Sequence, residues 1–412
     1  MIKSSIMKKV DATQGSLTKN IFIYAIPLIL STILQNFFNV ADKAVLGNMA
    51  GTTAVASIAA TGTVSSLIIS GAVGLAAGTA IVLARFVGEK NEEKIRTTID
   101  TSLLTSVALG LIVAVAGFFL TPVFLTATDC PQECYEGAML YMRITLAAAP
   151  ATLLYNYGSA ILRSLGDTQR PLVYVAISGV INVALNIILC LILPKKVVAV
   201  AVATVVSTIA SAILVVYRLC HFESSARVHI SQMRFDLLAF KRVFYFGIPA
   251  SISSLVLPLA NLQITAAINS YGTEAIAGHS AAISIESFVY AFVTGFGSTA
   301  MTFVGQNIGA KNIDRVRKSF WLCMLYTFVI TGTLGVLTYF SGEFWIGLVI
   351  GRSSTAAIEY GMLRLLYVVL FVFIYAVSNV LTCTLKARLA SSSTSLIRAS
   401  VKGPKMPSAS RP

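Results

Sequence analysis

Apolar residues along this chain come in long, nearly unbroken runs, not at alternate positions or in the i, i+3, i+4 stripe of a soluble amphipathic helix. A run of about 20 residues crosses a hydrocarbon core of roughly 30 Å as a helix. The runs fall at 20–46, 54–84, 97–124, 138–162, 171–193, 197–217, 243–269, 276–305, 319–340 and 359–385, and they predict ten spans. The fold class expected is an all-α polytopic membrane protein. The opening "MIKSSIMKKVDATQGSLTKN" is polar and basic and runs straight into a full-length span, so no cleavable signal peptide is expected.

Charge adds orientation. Only 12% of the 412 residues are charged and 56% are hydrophobic. Of the 31 Lys and Arg residues, 25 fall in 1–19, 85–96, 163–170, 218–242, 306–318 and 386–412. The opposite loops hold only Lys195, Lys196 and Arg352. This asymmetry predicts that the basic loops and both termini are cytoplasmic, and it assigns the net charge of +14 to topology and anionic lipid. Nucleic acid is not an expected partner. The six cysteines lie mostly in or beside apolar segments and read as small core residues. No metal-ligand spacing and no nucleophile motif stands out, so neither an enzyme nor a metal or cofactor site is expected.

The chain also repeats itself. A shift of 221 or 222 positions aligns "YAIP" (24–27) with "FGIP" (246–249), "GTTAVA" (51–56) with "GTEAIA" (272–277), Gly74 with Gly295, "GEKNEEKIR" (88–96) with "GAKNIDRVR" (309–317), and Arg143 with Arg364. Spans 1–4 and 7–10 are therefore copies. Six spans separate their starts, so the copies enter the membrane in the same direction and predict two like-oriented bundles around a central cleft. The expected organisation is a cytoplasmic segment at 1–19, a six-helix bundle at 20–217, a cytoplasmic linker at 218–242, a four-helix second bundle at 243–385 and a disordered basic tail at 386–412. The repeat calls for "GD" (166–167) again near 387–388 and then for copies of spans 5 and 6, but the chain reads "ARLASSSTSLIRASVKGPKMPSASRP". That stretch is too polar to span. The second bundle is therefore expected to lack its last two helices, through a frameshift or premature stop near Lys386 or as a short variant completed by a partner chain.

With "NVADKAVLGNMAG" (39–51), "GxxxGTAxxxARxxGEKN" (74–91), "ILRSLGDTQRP" (161–171), "INVALNIIL" (181–189) and "FVGQNIGAKN" (303–312), the sequence resembles the multidrug and toxic compound extrusion (MATE) family, C-terminally truncated. The branch it resembles is the bacterial and archaeal one that includes the DNA-damage-inducible protein F type. The resemblance implies two six-helix bundles and multidrug efflux by antiport. Amphipathic cations would leave across the bacterial cytoplasmic (inner) membrane as protons or sodium enter. It implies membrane lipid as the other contact, a monomer, and no cofactor.

Polar groups inside spans are costly and mark candidate sites. Asp42 lies near the outer end of span 1; Asn182 and Asn186 share one face of span 5; Tyr141 and Thr204 open spans 4 and 6 at similar depth. By resemblance these five fall on the proton-binding network of the family's proton-linked members, with Asp42 as its single carboxylate. Burial would favour the neutral form of that acid and let it take up and release a proton. The competing reading of Asp42 is an acid solvated at a helix end. Glu286, near mid-depth of span 8, is a candidate for a cation or proton, or else the partner of an internal hydrogen bond. His279 reads as structural, and Arg143 and Arg364 read as an equivalent pair near the outer headgroups. Where the sodium-linked branch often has a Glu in span 7, this chain has Leu257. Pro27 and Pro249 each remove a backbone hydrogen bond inside a span and are hinge candidates. Gly74 and Gly78 form a small-residue packing face. Competing with efflux are a flippase for lipid-linked or amphipathic metabolites and a truncated product that inserts without transporting.

Overall fold

The computed structural model describes residues 9–127, 131–222, 226–269, 271–350 and 355–401, without side chains at 42–44, 46–56, 59–60, 63–64, 127, 262, 266, 269 and 390–401. The elements are α1 (Leu17–Gly88), α2 (Glu92–Ala127), α3 (Gln132–Ala147), α4 (Ala149–Ser164), α5 (Gln169–Ile192), α6 (Lys196–Cys220), α7 (Leu237–Asn269), α8 (Thr273–Gly309), α9 (Ile313–Phe340), α10 (Gly342–Ile350), α11 (Thr355–Arg364) and α12 (Val372–Val401). Among the described residues nine segments are long and apolar enough to cross a membrane, and α3 with α4 makes a tenth if the bent pair is one span. Two of them, Leu17–Ala41 and Ser65–Gly88, belong to α1 and lie side by side, because Leu28 of one and Val73 and Ala77 of the other line the same cavity.

Burial runs opposite to that of a soluble protein. Large apolar side chains such as Phe119, Leu191, Ile192 and Phe340 point outward with 71% or more of their surface exposed, whereas Ala138, Ala201, Ala282 and Ala300 are fully buried. Apolar tails outside offer no hydrophobic reason to bury Leu or Phe, so close backbone approach by small residues holds the helices together. The chain is a multi-pass membrane protein.

The halves meet through reciprocal contacts. A Cβ at Gly74 would overlap the backbone of Ser251, and a Cβ at Gly295 would overlap Ile29. Shifted by the repeat, the first contact becomes the second. A Cβ at Gly88 would overlap the carbonyl of Gln306, and a Cβ at Gly309 that of Arg85, which is the same exchange one helical stretch further on. Contacts that swap in this way are those of two like-oriented bundles about a pseudo-two-fold axis. Gly78 meets Val243 and Gly247, so the small-residue face of α1 packs against α7.

The doubled loop follows from the same geometry. Gly88 and Gly309 allow the crossing, after which Lys90 (φ 51°) and Lys311 (φ 59°) turn the chain in the left-handed region. Asn91 and Asn312 then accept from the backbone N–H of Lys94 (3.0 Å) and Arg315 (3.1 Å) and cap α2 and α9.

Two expected spans are not straight. The run at 138–162 is broken at Ala148, where α3 and α4 meet at 48°. Pro150 has no N–H to give the carbonyl one turn back. At the equivalent place in the second half, α11 passes to α12 through a π turn over Leu365–Val369, in which the N–H of Leu370 reaches the carbonyl of Leu365 at 3.2 Å. Hydropathy hides both breaks, since every residue involved is apolar or small. Helix α12 runs on to Val401, past the end at 385 that hydropathy set, and residues 402–412 lie outside the described residues.

Candidate functional site

Helices α5 and α6 bring the predicted amides together with one hydroxyl the sequence reading omitted. The Asn186 amide donates to Asn182 Oδ1 at 3.2 Å, and the Asn182 amide faces Ser207 Oγ at 3.4 Å. Ser207 in turn donates to the Thr204 carbonyl at 2.9 Å. Asn186 is fully buried and Asn182 nearly so. Ser207 follows Thr204 by three residues and therefore shares its face, a spacing that could have flagged it. Thr204 and Tyr141 line a cavity of about 210 Å³ inside the first bundle, together with Ser65, Thr145, Thr152 and Thr208. The cavity sits at the α3–α4 break, with Ala148 and Ala149 in its wall. The side chain of Asp42 lies outside the described residues. Four of the five predicted residues thus form one amide and hydroxyl region.

Glu286 is elsewhere. It is buried in the second bundle, where Arg364 Nε lies 2.8 Å from one carboxylate oxygen and Arg364 Nη2 donates to the other at 2.9 Å. His279 Nδ1 lies 3.3 Å from the same guanidinium. The expectation that Arg364 serves outer headgroups is corrected: its side chain is only 10% exposed and is held by Glu286. Arg143 has a different neighbour, with its guanidinium 4.5 Å from the centre of the Phe118 ring. The equivalence of the two arginines in sequence does not carry over to their partners.

Between the bundles lies a central cleft of about 330 Å³, walled by α1, α4, the start of α5 and α8. Its end toward the basic loops is closed by Tyr24, whose hydroxyl lies 2.8 Å from the Arg163 carbonyl oxygen and 2.9 Å from Thr302 Oγ1. Below that floor the N-terminal segment crosses both halves. Val10 N–H donates to the Gly166 carbonyl at 3.0 Å, and Ala12 N–H donates to Gln306 Oε1 at 3.2 Å. Asn307 Nδ2 and Arg315 Nε donate back to the Ala12 carbonyl at 3.0 and 2.8 Å. Gly166, at φ 85° and against the Val10 carbonyl, is a position only glycine fits. Sequence reading treated 1–19 and 163–170 only as cytoplasmic segments, so it missed this floor. The signal available was "ILRSLGD" standing opposite "FVGQNIG", two motifs already singled out. Of the hinge candidates, Pro27 is buried inside α1 and Pro249 is exposed inside α7.

Comparison with known proteins places this geometry. The chain is 27% identical over 386 residues to the probable multidrug resistance protein YoeA of Bacillus subtilis, covering 91% of this chain and 82% of that protein. It is 27% identical over 299 residues to a FAD transporter of Shewanella oneidensis, covering 71% and 65%. Its fold is similar to that of a multidrug resistance MATE family transporter solved in an outward-facing conformation, with a TM-score of 0.86 at 21% identity over 95% of this chain and 86% of the other. The MatE family model matches residues 27–188 and 249–396, the two halves that the internal repeat defines, and the chain belongs to the MATE family of transporters.

Proposed function

We propose that the chain is an efflux antiporter that exports amphipathic compounds by alternating access, driven by inward protons. The carrying observation is the first-bundle network, in which Asn186, Asn182 and Ser207 form a buried relay ending at Thr204, on the wall of the cavity that Tyr141 also lines. Asp42 is the acid proposed to charge and discharge that network. An acid titrating there changes the hydrogen bonds available to its neighbours and so biases the helices. Each proton entering across 100 mV releases about 2.3 kcal/mol. Coupling requires the proton and the cargo to prefer different states of the cleft. The relatives named multidrug resistance proteins support this reading, and amphipathic cations are the cargo carried over from the family.

Orientation follows from the basic loops, with both termini in the cytoplasm and the N-terminal segment closing the cytoplasmic end; a monomer in the inner membrane is carried over from the family. Pro27 and Pro249 are the proposed hinges. Sodium is the competing coupling ion.

In cells lacking other pumps, the chain is expected to lower ethidium accumulation, and Asp42→Asn to abolish the effect. Efflux retained by Asp42→Asn would remove Asp42 as the coupling acid. Efflux that follows external sodium instead of pH would replace the ion. No efflux at all from a chain that inserts would favour a non-transporting product.

A further inference from the structure

We infer that the floor of the central cleft is an oxyanion subsite, in which Arg163, with Ser31 and Ser298, takes the carboxylate, sulfonate or phosphate of an amphipathic cargo whose apolar body lies against Val73, Ala77 and Met301. All six residues line the cleft. The inference rests on the export reading and adds an acidic group to the cargo.

Arg163 stands in the last turn of α4, half-buried, and lines the cleft with Tyr24 and Tyr155. A guanidinium in a partly dry cleft is unfavourable without a counter-charge. Among the described residues no carboxylate lines this cleft. The acid nearest in sequence, Asp167, is taken by Arg170, and Glu286 is taken by Arg364. A cation in the last turn complements the helix dipole, which accounts for a basic residue there. It does not account for one on the wall of a cleft without an acid.

The hydroxyls and amides around the cleft divide into two sets. Thr32 and Thr294 spend their hydroxyl donors, and Asn156 one of its two amide donors, on carbonyls of their own helices, and Thr302 is engaged by Tyr24. Ser31 and Ser298 come from opposite bundles and make no side-chain hydrogen bond among the described residues. Arg163, these two hydroxyls and the Gln35 amide are among the donors that the cleft offers to a ligand, and all of them can donate to an oxyanion. Because Ser31 and Ser298 belong to different bundles, a bound oxyanion would link the two halves in this closed-floor state. The volume suits a small amphipathic molecule.

The test uses two probes with the same ring system and the full-length chain. 8-Anilinonaphthalene-1-sulfonate carries the oxyanion and N-phenyl-1-naphthylamine does not. Binding is measured on purified protein in detergent, and export is measured separately in proteoliposomes. Arg163→Gln is expected to weaken sulfonate binding at least tenfold more than it weakens binding of the neutral probe, and Arg163→Lys to recover most of that difference. An equal loss for both probes would mean that Arg163 only holds the floor together, and no loss for either would mean that it does not touch cargo; each result overturns the subsite. If the neutral probe is exported while sulfonate binding ignores Arg163, the subsite fails and export stands. If sulfonate binding depends on Arg163 while neither probe is exported, the export reading fails and the subsite stands.

Discussion

In the second bundle Glu286 is clamped by Arg364 with His279 beside them, whereas its counterpart 221 positions earlier is Ser65, on the wall of the first-bundle cavity. The same place in two copies of one unit is thus an ion pair in one and part of an open, hydroxyl-lined space in the other. The backbone devices did not diverge in this way. Both halves keep the glycine at the crossing, the left-handed lysine, the asparagine cap and a break in the fourth span. Backbone geometry at a crossing admits few residues, so it stays fixed through duplication. An interior polar site needs only that its charges be satisfied, and each half has met that condition in its own way. The half in which this place lines a cavity is the one on which function is proposed.

The largest effect expected from this contrast is at the ion pair. Arg364→Ala strands a buried carboxylate and should cost about 3–5 kcal/mol. Arg143→Ala, which loses a ring contact, should cost no more than about 2 kcal/mol. Thermal unfolding of the purified chain compares the two, and the replacement of both partners, Glu286→Leu with Arg364→Met, should restore most of the loss. Equal losses at Arg143 and Arg364 would erase the difference between the halves. Next come the crossings: Gly88→Ala and Gly309→Ala each press a methyl onto a facing carbonyl, at an expected cost of about 1–3 kcal/mol. Reciprocal contacts require the two losses to be similar, and a large loss at one with none at the other would break the pseudo-symmetry. The smallest effect is at the caps, where Asn91→Ala and Asn312→Ala should each lower stability by about 1 kcal/mol.

What was legible in the sequence follows the same division. The spans and their common direction could be read because lipid demands unbroken apolar runs and duplication leaves a fixed offset. The doubled "GEKN" and "GAKN" could be paired, and the crossing, turn and cap explain why the Gly, the Lys and the Asn recur. Asn182, Asn186, Tyr141 and Thr204 could be grouped by depth and face, since helical spacing fixes both. The clamp on Glu286 could not, because it joins α8 to the end of α11 and no periodicity relates residues 78 positions apart. The N-terminal segment was equally invisible: its role comes from main-chain groups of Val10 and Ala12, which carry no side-chain signature. The breaks at Ala148 and at Leu365–Val369 escaped hydropathy because a bent apolar run scores the same as a straight one.

The central claim is that coupling resides in the first half and that the charged cluster of the second half is structural. Proteoliposomes recording lumen pH and ethidium together test it most directly. Wild type and the Glu286→Leu/Arg364→Met pair should both move protons when ethidium moves, and Asp42→Asn should move neither. Ethidium-linked proton movement that survives Asp42→Asn, or that is lost in a folded Glu286→Leu/Arg364→Met chain, would contradict the account.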